Sequence, residues 1–258
     1  MRFGVAPDFP TLVVENLHGI IHGPPPGAFG GEGGYQVDLV GGDTTSSRSG
    51  LMISITVLGT AEQGEICYRS GAKAGDLLCV SGDLGSAYMG LLLLEREKAV
   101  FKANPNAQPD LDGYDYVLER QLKPEPRTDI VKALRNQGVQ PTSMIDISDG
   151  LSSELMHICK NSEVGCRVYY DKIPINPETT RMATELGIEP MVAALSGGED
   201  YELLFTAPIE NHDLLSKIEG VTIIGHIVKA QAGAMLVTPN DSEIPLTAQG
   251  WNAISGEE

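Results

Sequence analysis

An α/β (α+β) protein is what this sequence predicts, and three observations carry the prediction. Apolar runs with a period of two or short apolar cores, at residues 51–58, 77–81 and 143–147, read as strands. The latter two each lead, within a few residues, into segments 86–97 and 151–161, whose apolar positions recur every three or four residues as a helix requires. Glycine and proline punctuate the joins. A chain of 258 residues can bury a sizeable core and form one large or two medium domains.

Composition narrows the class. Hydrophobic residues make up 41% and charged residues 21%, as in an ordinary soluble globular protein. With 18 basic against 35 acidic residues the formal charge is −17, which argues against nucleic acid or an anionic membrane as a partner. An acidic protein that handles phosphates would need metal ions to do so. Cys67, Cys79, Cys159 and Cys166 show no Cys-x-x-Cys spacing, so buried free thiols are expected. No signal peptide or long apolar span is visible, the run 91–94 being too short to cross a bilayer, and a reducing cytoplasm is the expected location.

In chain order, Val13, Val14, Leu17, Ile20 and Ile21 have helical spacing but run into a proline and glycine tract at 22–34, a loop or linker. Residues 36–40 read as a strand that stops at Gly41, Gly42 and Asp43, followed by Thr44, Thr45, Ser46 and Ser47. Backbone amides, hydroxyls and a carboxylate gathered there suit a phosphate and its metal, or else a polar hairpin turn. Residues 51–58 alternate as a half-buried strand. Texture changes between 59 and 75, where the domain boundary is placed, giving 1–62 and 63–258. Arg69 and Lys73 stand near it, and arginine is the side chain best shaped to grip phosphate. After the strand 77–81 come a turn at 82–85 and the helix 86–97. Residues 104–113 form a surface loop, and 114–122 a short helix halted by Lys123-Pro-Glu-Pro-Arg127, whose prolines fix where Arg127 points. Thr128 is the expected N-cap of a helix closed by Gly138. Further on are a strand at 165–170, a helix at 176–186 with Asn176 as cap and Pro177 at its first position, and strands at 221–224 and 234–237. The single tryptophan, Trp251, is either a packing plug or a stacking surface for a planar ligand.

The chemistry concentrates in Ser143-Met-Ile-Asp-Ile-Ser-Asp-Gly-Leu151. Alternate strand positions share a face, so Asp146 and Ser148 point the same way, and Asp149 stands where the following helix opens. Carboxylates that close repel unless a proton or cation intervenes, and Mg2+ prefers such oxygen ligands with room left for phosphate and water. The alternative is that Ser148 and Asp149 only cap the helix. A second acidic stretch, Ser196-Gly-Gly-Glu-Asp-Tyr-Glu202, precedes a buried strand; Glu199, Asp200 and Glu202 exceed what solubility needs, so at least one faces a ligand or cation. No Walker loop, kinase glycine-rich loop or dinucleotide fingerprint is present.

The strings LVGGDTTSS, YRSGAKAGD, QLKPEPR, IDISDGLSSEL and LSGGEDYELLF, in this order, resemble the thiamine-monophosphate kinases from about Val37 to Trp251. The resemblance implies ATP-dependent phosphorylation of thiamine monophosphate with several Mg2+ ions. It also implies the two-domain architecture of the aminoimidazole ribonucleotide synthetase-like superfamily, which dimerises through its N-terminal domains. On the matching positions, Gly42 and Asp43 look like ATP and Mg2+ contacts, Arg69 and Ser148 like ATP contacts, and Asp146 and Asp149 like metal ligands at the catalytic centre. Glu199 and Trp251 look like contacts to the thiamine phosphate. The family's acidic GDDAA-type segment, its Ser-Thr-Asp stretch and its SDIAAMGG-like turn have no counterpart in residues 1–36. The expectation is therefore a truncated N-terminal domain, with fewer metal ligands and fewer strands for a homodimer. Alternatives are a member that at most binds nucleotide, or a sister ATP-dependent enzyme.

Overall fold

The computed structural model describes residues 41–43, 52–61 and 64–247. The chain divides into two compact units, Met1–Gly59 and Thr60–Glu258. In the first, residues 52–59 carry no regular structure, and Met52, Ile53, Ile55, Val57 and Leu58 are all exposed. The strand read into 51–58 is thus corrected: alternation supplies a face, but a strand also needs a neighbour for its backbone, and none pairs with it among the described residues. The helical pattern at 13–21, the strand at 36–40 and Trp251 lie outside the described residues.

The second unit is built on one mixed sheet. Its strands are β1 (Leu77–Ser81), β2 (Ser143–Ile147), β3 (Val164–Tyr169), β4 (Glu202–Ala207), β5 (Val221–Lys229), β6 (Ala234–Val237) and β7 (Glu243–Pro245). Among the described residues the order is β2-β4-β1-β5-β3-β6-β7, antiparallel throughout except for the parallel β3–β6 pair. The helices are α1 (Ser86–Ala103), α2 (Asp115–Leu122), α3 (Thr128–Asn136), α4 (Leu151–Ser162), α5 (Pro177–Leu186), α6 (Pro190–Ser196) and α7 (His212–Leu215).

Both faces of the sheet are covered, which explains why all five residues of β1 are buried. Leu78 and Val80 join Ile145, Ile147, Leu204, Leu151, Leu155 and Ile158, so α4 lies on that face. Leu77 and Cys79 point the other way, into Phe205, Ile130, Leu134 and Leu215 under α3 and α7. A third cluster, formed by Met89, Leu93, Val117, Met182 and Ala193, ties α1, α2, α5 and α6 together.

Local expectations hold where a physical signal is strong. Asn176 accepts from the Glu178 N–H at 2.9 Å and caps α5, with Pro177 in the first turn. The cysteines are free, three of them buried, and burial pushes the Cys79 thiol up to about 12. Two readings need correction. Thr128 is the first residue of α3 and gives no side-chain cap bond. β5 does not stop at 224, because Gly225 lets β3 approach where a Cβ would stand 1.9 Å from the Arg167 carbonyl oxygen. No helix among the described residues is long and apolar enough to cross a membrane.

Candidate active site

β2 buries Ser143, Ile145 and Ile147 and leaves Asp146 exposed, so strand alternation alone turns that carboxylate away from the core. The chain then turns through Ser148 and Asp149 into α4, whose N-cap is Gly150 and whose first turn carries no side-chain cap bond at that position. The capping role considered for Ser148 and Asp149 is therefore not realised. Glu154 reaches back instead, its Oε1 accepting from the Asp149 N–H at 3.2 Å.

The second acidic segment crosses the end of β2. Glu199 N–H donates to the Ser148 carbonyl at 2.8 Å, and Tyr201 N–H to that of Ile147 at 2.9 Å. Gly198 makes the crossing possible: at φ 71° it passes the Ser148 carbonyl oxygen where a Cβ would stand 2.5 Å away. Two backbone hydrogen bonds thus bring together Asp146, Ser148, Asp149 and Glu199, residues about fifty positions apart in the chain, with all three carboxylates exposed and Ser148 half-buried.

Tyr201 donates its hydroxyl to Glu199 Oε2 at 3.1 Å. Burial, then Glu199, then the charges of Asp146 and Asp149 hold its phenol above the ordinary range, which places all three acids within electrostatic reach of one ring. Glu154 is buried, and its Oε2 has no hydrogen-bond partner. Burial, reinforced by Asp149 and Asp146, raises this carboxyl to about 7, against the pull of the two backbone N–H groups it accepts from.

The acids of the 199–202 segment separate by role. Asp200 turns inward, accepting from the Gly85 and Ala87 N–H groups at 2.8 and 3.3 Å, and so caps α1. Burial raises its carboxyl to about 7, opposed by the Gly85 N–H, then Arg120, then the Ala87 N–H. Glu202 is also buried and faces two guanidinium groups: Arg120 Nη1 lies 2.9 Å from its Oε1, while Arg127 and the Ser81 hydroxyl share its Oε2. Arg120 donates further to the carbonyls of Asp83 and Asp200, at 3.1 and 3.3 Å. Only Glu199 points outward from this acid set, directly before the anchored Asp200.

Arg69 is exposed and follows Tyr68, whose carbonyl accepts from Met144 N–H of β2 at 2.9 Å, beside the strand that carries Asp146. Gly42 and Asp43 are exposed and belong to the other compact unit. Among the described residues no three acidic, histidine or cysteine side chains close around one point tightly enough to hold a metal ion. Sequence reasoning passed over Glu154 and Tyr201. The first stands where any helix tolerates an acid in its opening turn, and the second lay inside a motif noticed only for its carboxylates.

Residues 73–238 match the family model described as AIR synthase related protein, C-terminal domain. A thiamine-monophosphate kinase of Buchnera aphidicola subsp. Schizaphis graminum is 37% identical over 224 residues, covering 84% of this chain and 64% of that protein. The structure of the thiamine-monophosphate kinase from Stenotrophomonas maltophilia K279a superposes with a TM-score of 0.57 at 31% identity, over 68% of this chain and 54% of that one. AaThiL complexed with AMPPCP and TMP gives a TM-score of 0.54 at 28% identity, over 69% and 52%. The chain spans less than two thirds of the length of the curated relatives it matches, from 45% to 65%, and about half of those solved chains. Through residues 73–238 the chain belongs to the AIR synthase related protein family, as a bearer of that family's C-terminal domain.

Proposed function

We propose that this protein transfers the terminal phosphoryl group of ATP to thiamine monophosphate, forming thiamine diphosphate. The observation that carries the reading is the meeting of Asp146, Ser148 and Asp149 with Glu199 across two backbone hydrogen bonds. The relatives named as thiamine-monophosphate kinases and the related structure holding an ATP analogue and TMP support it. In the same reading residues 1–62 belong to an N-terminal ATP- and metal-binding domain that also dimerises, and 63–258 form the C-terminal domain; the family match beginning at residue 73 supports that division. Gly42, Asp43, Arg69 and Ser148 then contact ATP, and Glu199 and Trp251 contact the acceptor. A cytoplasmic location fits this chemistry.

The donor set suits Mg2+. Asp146 and Asp149 are exposed oxygen donors with the Ser148 hydroxyl between them in sequence, and their charges both act on the buried Glu154, whose Oε2 has no hydrogen-bond partner. Mg2+ is usually held by one or two carboxylates together with waters and substrate phosphates, so no closed protein cage is required. Asp146 and Asp149 are the residues of this unit that would hold it. Bound there, the ion supplies positive charge that screens donor and acceptor phosphates from one another. The acceptor phosphate is already an anion, so no side chain has to act as general base. The chain's own contribution is alignment, with Glu199 fixing the acceptor while Asp146 and Asp149 face the phosphates in line.

Incubation of the 258-residue chain with ATP, Mg2+ and thiamine monophosphate, followed by separation of thiamine phosphates, tests the reading. Formation of thiamine diphosphate is expected, and no product from a folded protein that still binds both substrates would refute it.

A further inference from the structure

Two features of the 199–202 segment are unaccounted for by folding. Glu199 and Tyr201 both sit in the left-handed region, at φ 63° and 51°, and neither is glycine. A side chain there is strained, most of all a bulky one, and persists only where its surroundings impose it. The surroundings do impose it. Asp200, between them, is locked to the start of α1 and its carbonyl is held by Arg120, while Glu202 is locked by two arginines. Glycine would meet the same backbone demand without strain, as Gly198 does two residues before Asp200. Glu199 meanwhile is exposed, and Tyr201 keeps 36% of its surface in solvent. Their one mutual contact is the hydroxyl-to-carboxylate bond of 3.1 Å. The ring also stands within the field of Asp146 and Asp149.

A partly exposed phenol bonded to the outward-facing Glu199 carboxylate makes a surface suited to a cation with a flat ring, and thiamine carries a fixed positive charge on its thiazolium ring. We infer that Tyr201 is a specificity-determining residue of the acceptor site: its hydroxyl orients the Glu199 carboxylate and its ring borders the acceptor's heteroaromatic cation. This rests on the proposed kinase reading and adds to it a residue that selects the acceptor rather than the nucleotide.

The test compares Tyr201→Phe and Tyr201→Gly with the unaltered full chain by calorimetric titration of thiamine monophosphate and, separately, of a non-hydrolysable ATP analogue with Mg2+, alongside thermal unfolding. Phenylalanine keeps the ring and frees Glu199, so the Kd for thiamine monophosphate should rise about 5-fold, the worth of one hydrogen bond. Glycine removes the ring as well and should raise it by about 10- to 30-fold through the added loss of a cation–ring contact. The Kd of the ATP analogue should stay within about 2-fold of the unaltered chain in both variants. Because glycine relieves the left-handed backbone, its Tm should equal or exceed the original by about 2–4 °C. A residue kept for packing would behave oppositely. A Tm several degrees lower in Tyr201→Gly with both ligands weakened alike, or unchanged acceptor affinity in both variants, overturns the inference alone. Failure of the unaltered chain to bind thiamine monophosphate overturns the kinase reading, and the inference with it.

Discussion

Replacing Glu202 by glutamine removes one charge from a buried cluster and leaves its shape intact. Glu202 is 1% exposed, and its two oxygens meet Arg120, Arg127 and Ser81. The two guanidinium groups fare differently once the charge is gone. Arg127 keeps Asp129, at 3.0 and 2.9 Å, whereas Arg120 is left with carbonyl partners only and already has an unpartnered Nε. The cost should therefore concentrate on one desolvated guanidinium whose remaining counter-charge is that of Asp200, at the lower end of the range for breaking a buried pair, about 3 kcal/mol. For a protein of this size that corresponds to a Tm lower by about 6–12 °C, readable by differential scanning fluorimetry and by the urea midpoint. Removing the stranded cation as well should restore most of the loss, so Glu202→Gln with Arg120→Met should be more stable than Glu202→Gln alone. Arg120 also holds the Asp200 carbonyl, so the single variant should weaken acceptor binding beside Glu199. A Glu202→Gln protein within about 1 kcal/mol of the original, or a double variant whose losses simply add, would refute the assignment of this cluster as the anchor of the segment.

Three further outcomes follow from the same geometry. Gly198→Ala should destabilise the fold by about 2 kcal/mol, since the new Cβ meets the Ser148 carbonyl at 2.5 Å in a left-handed backbone, and should lower acceptor affinity further than a surface substitution would; wild-type affinity would show that the crossing is not needed. Glu154 has a folded-state value of about 7 against 4.5 for the free group, so in metal-free buffer its contribution to stability falls as pH rises from about 4.5 to 7 and stays lost above that, about 3 kcal/mol in all. Glu154→Gln should then be more stable than the original at pH 8 but not at pH 5, and parallel stability curves across that interval would contradict the buried, unpartnered carboxyl. Asp146→Asn and Asp43→Asn should each abolish metal-dependent nucleotide binding in calorimetry, and undiminished Mg-ATP affinity in both would dismiss these residues as ligands.

What could be read from the chain was what local physics decides. Alternation in β2 exposed Asp146, and Asn176 followed by Pro177 announced α5. The short helices α6 and α7 offered too few turns for a period to show, and β7, wholly exposed, exists only through its pairing with β6. The run at 52–58 carried the right alternation without a partner strand among the described residues. The site divides in the same way. Asp146, Ser148, Asp149 and Glu199 were legible from strand ends and glycine pairs, but nothing local could sort Glu199 from Asp200 and Glu202. Their fates depend on the start of α1 and on arginines at positions 120 and 127, more than seventy residues earlier. Glu154 was hidden for a related reason, since its unpartnered oxygen exists only once α4 is packed.

The alternation of inward and outward residues from 199 to 202 has a practical meaning for anyone wishing to change what the protein accepts. The buried anchors and the residues proposed to face the ligand are different, interleaved positions of one short segment, so the two can be edited separately. Positions 199 and 201 can be varied together, among residues that accept a left-handed backbone such as Gly, Asn and Asp, while the anchors at 200 and 202 are kept. The backbone would present each new pair of side chains at the same place, as a socket presents interchangeable fittings.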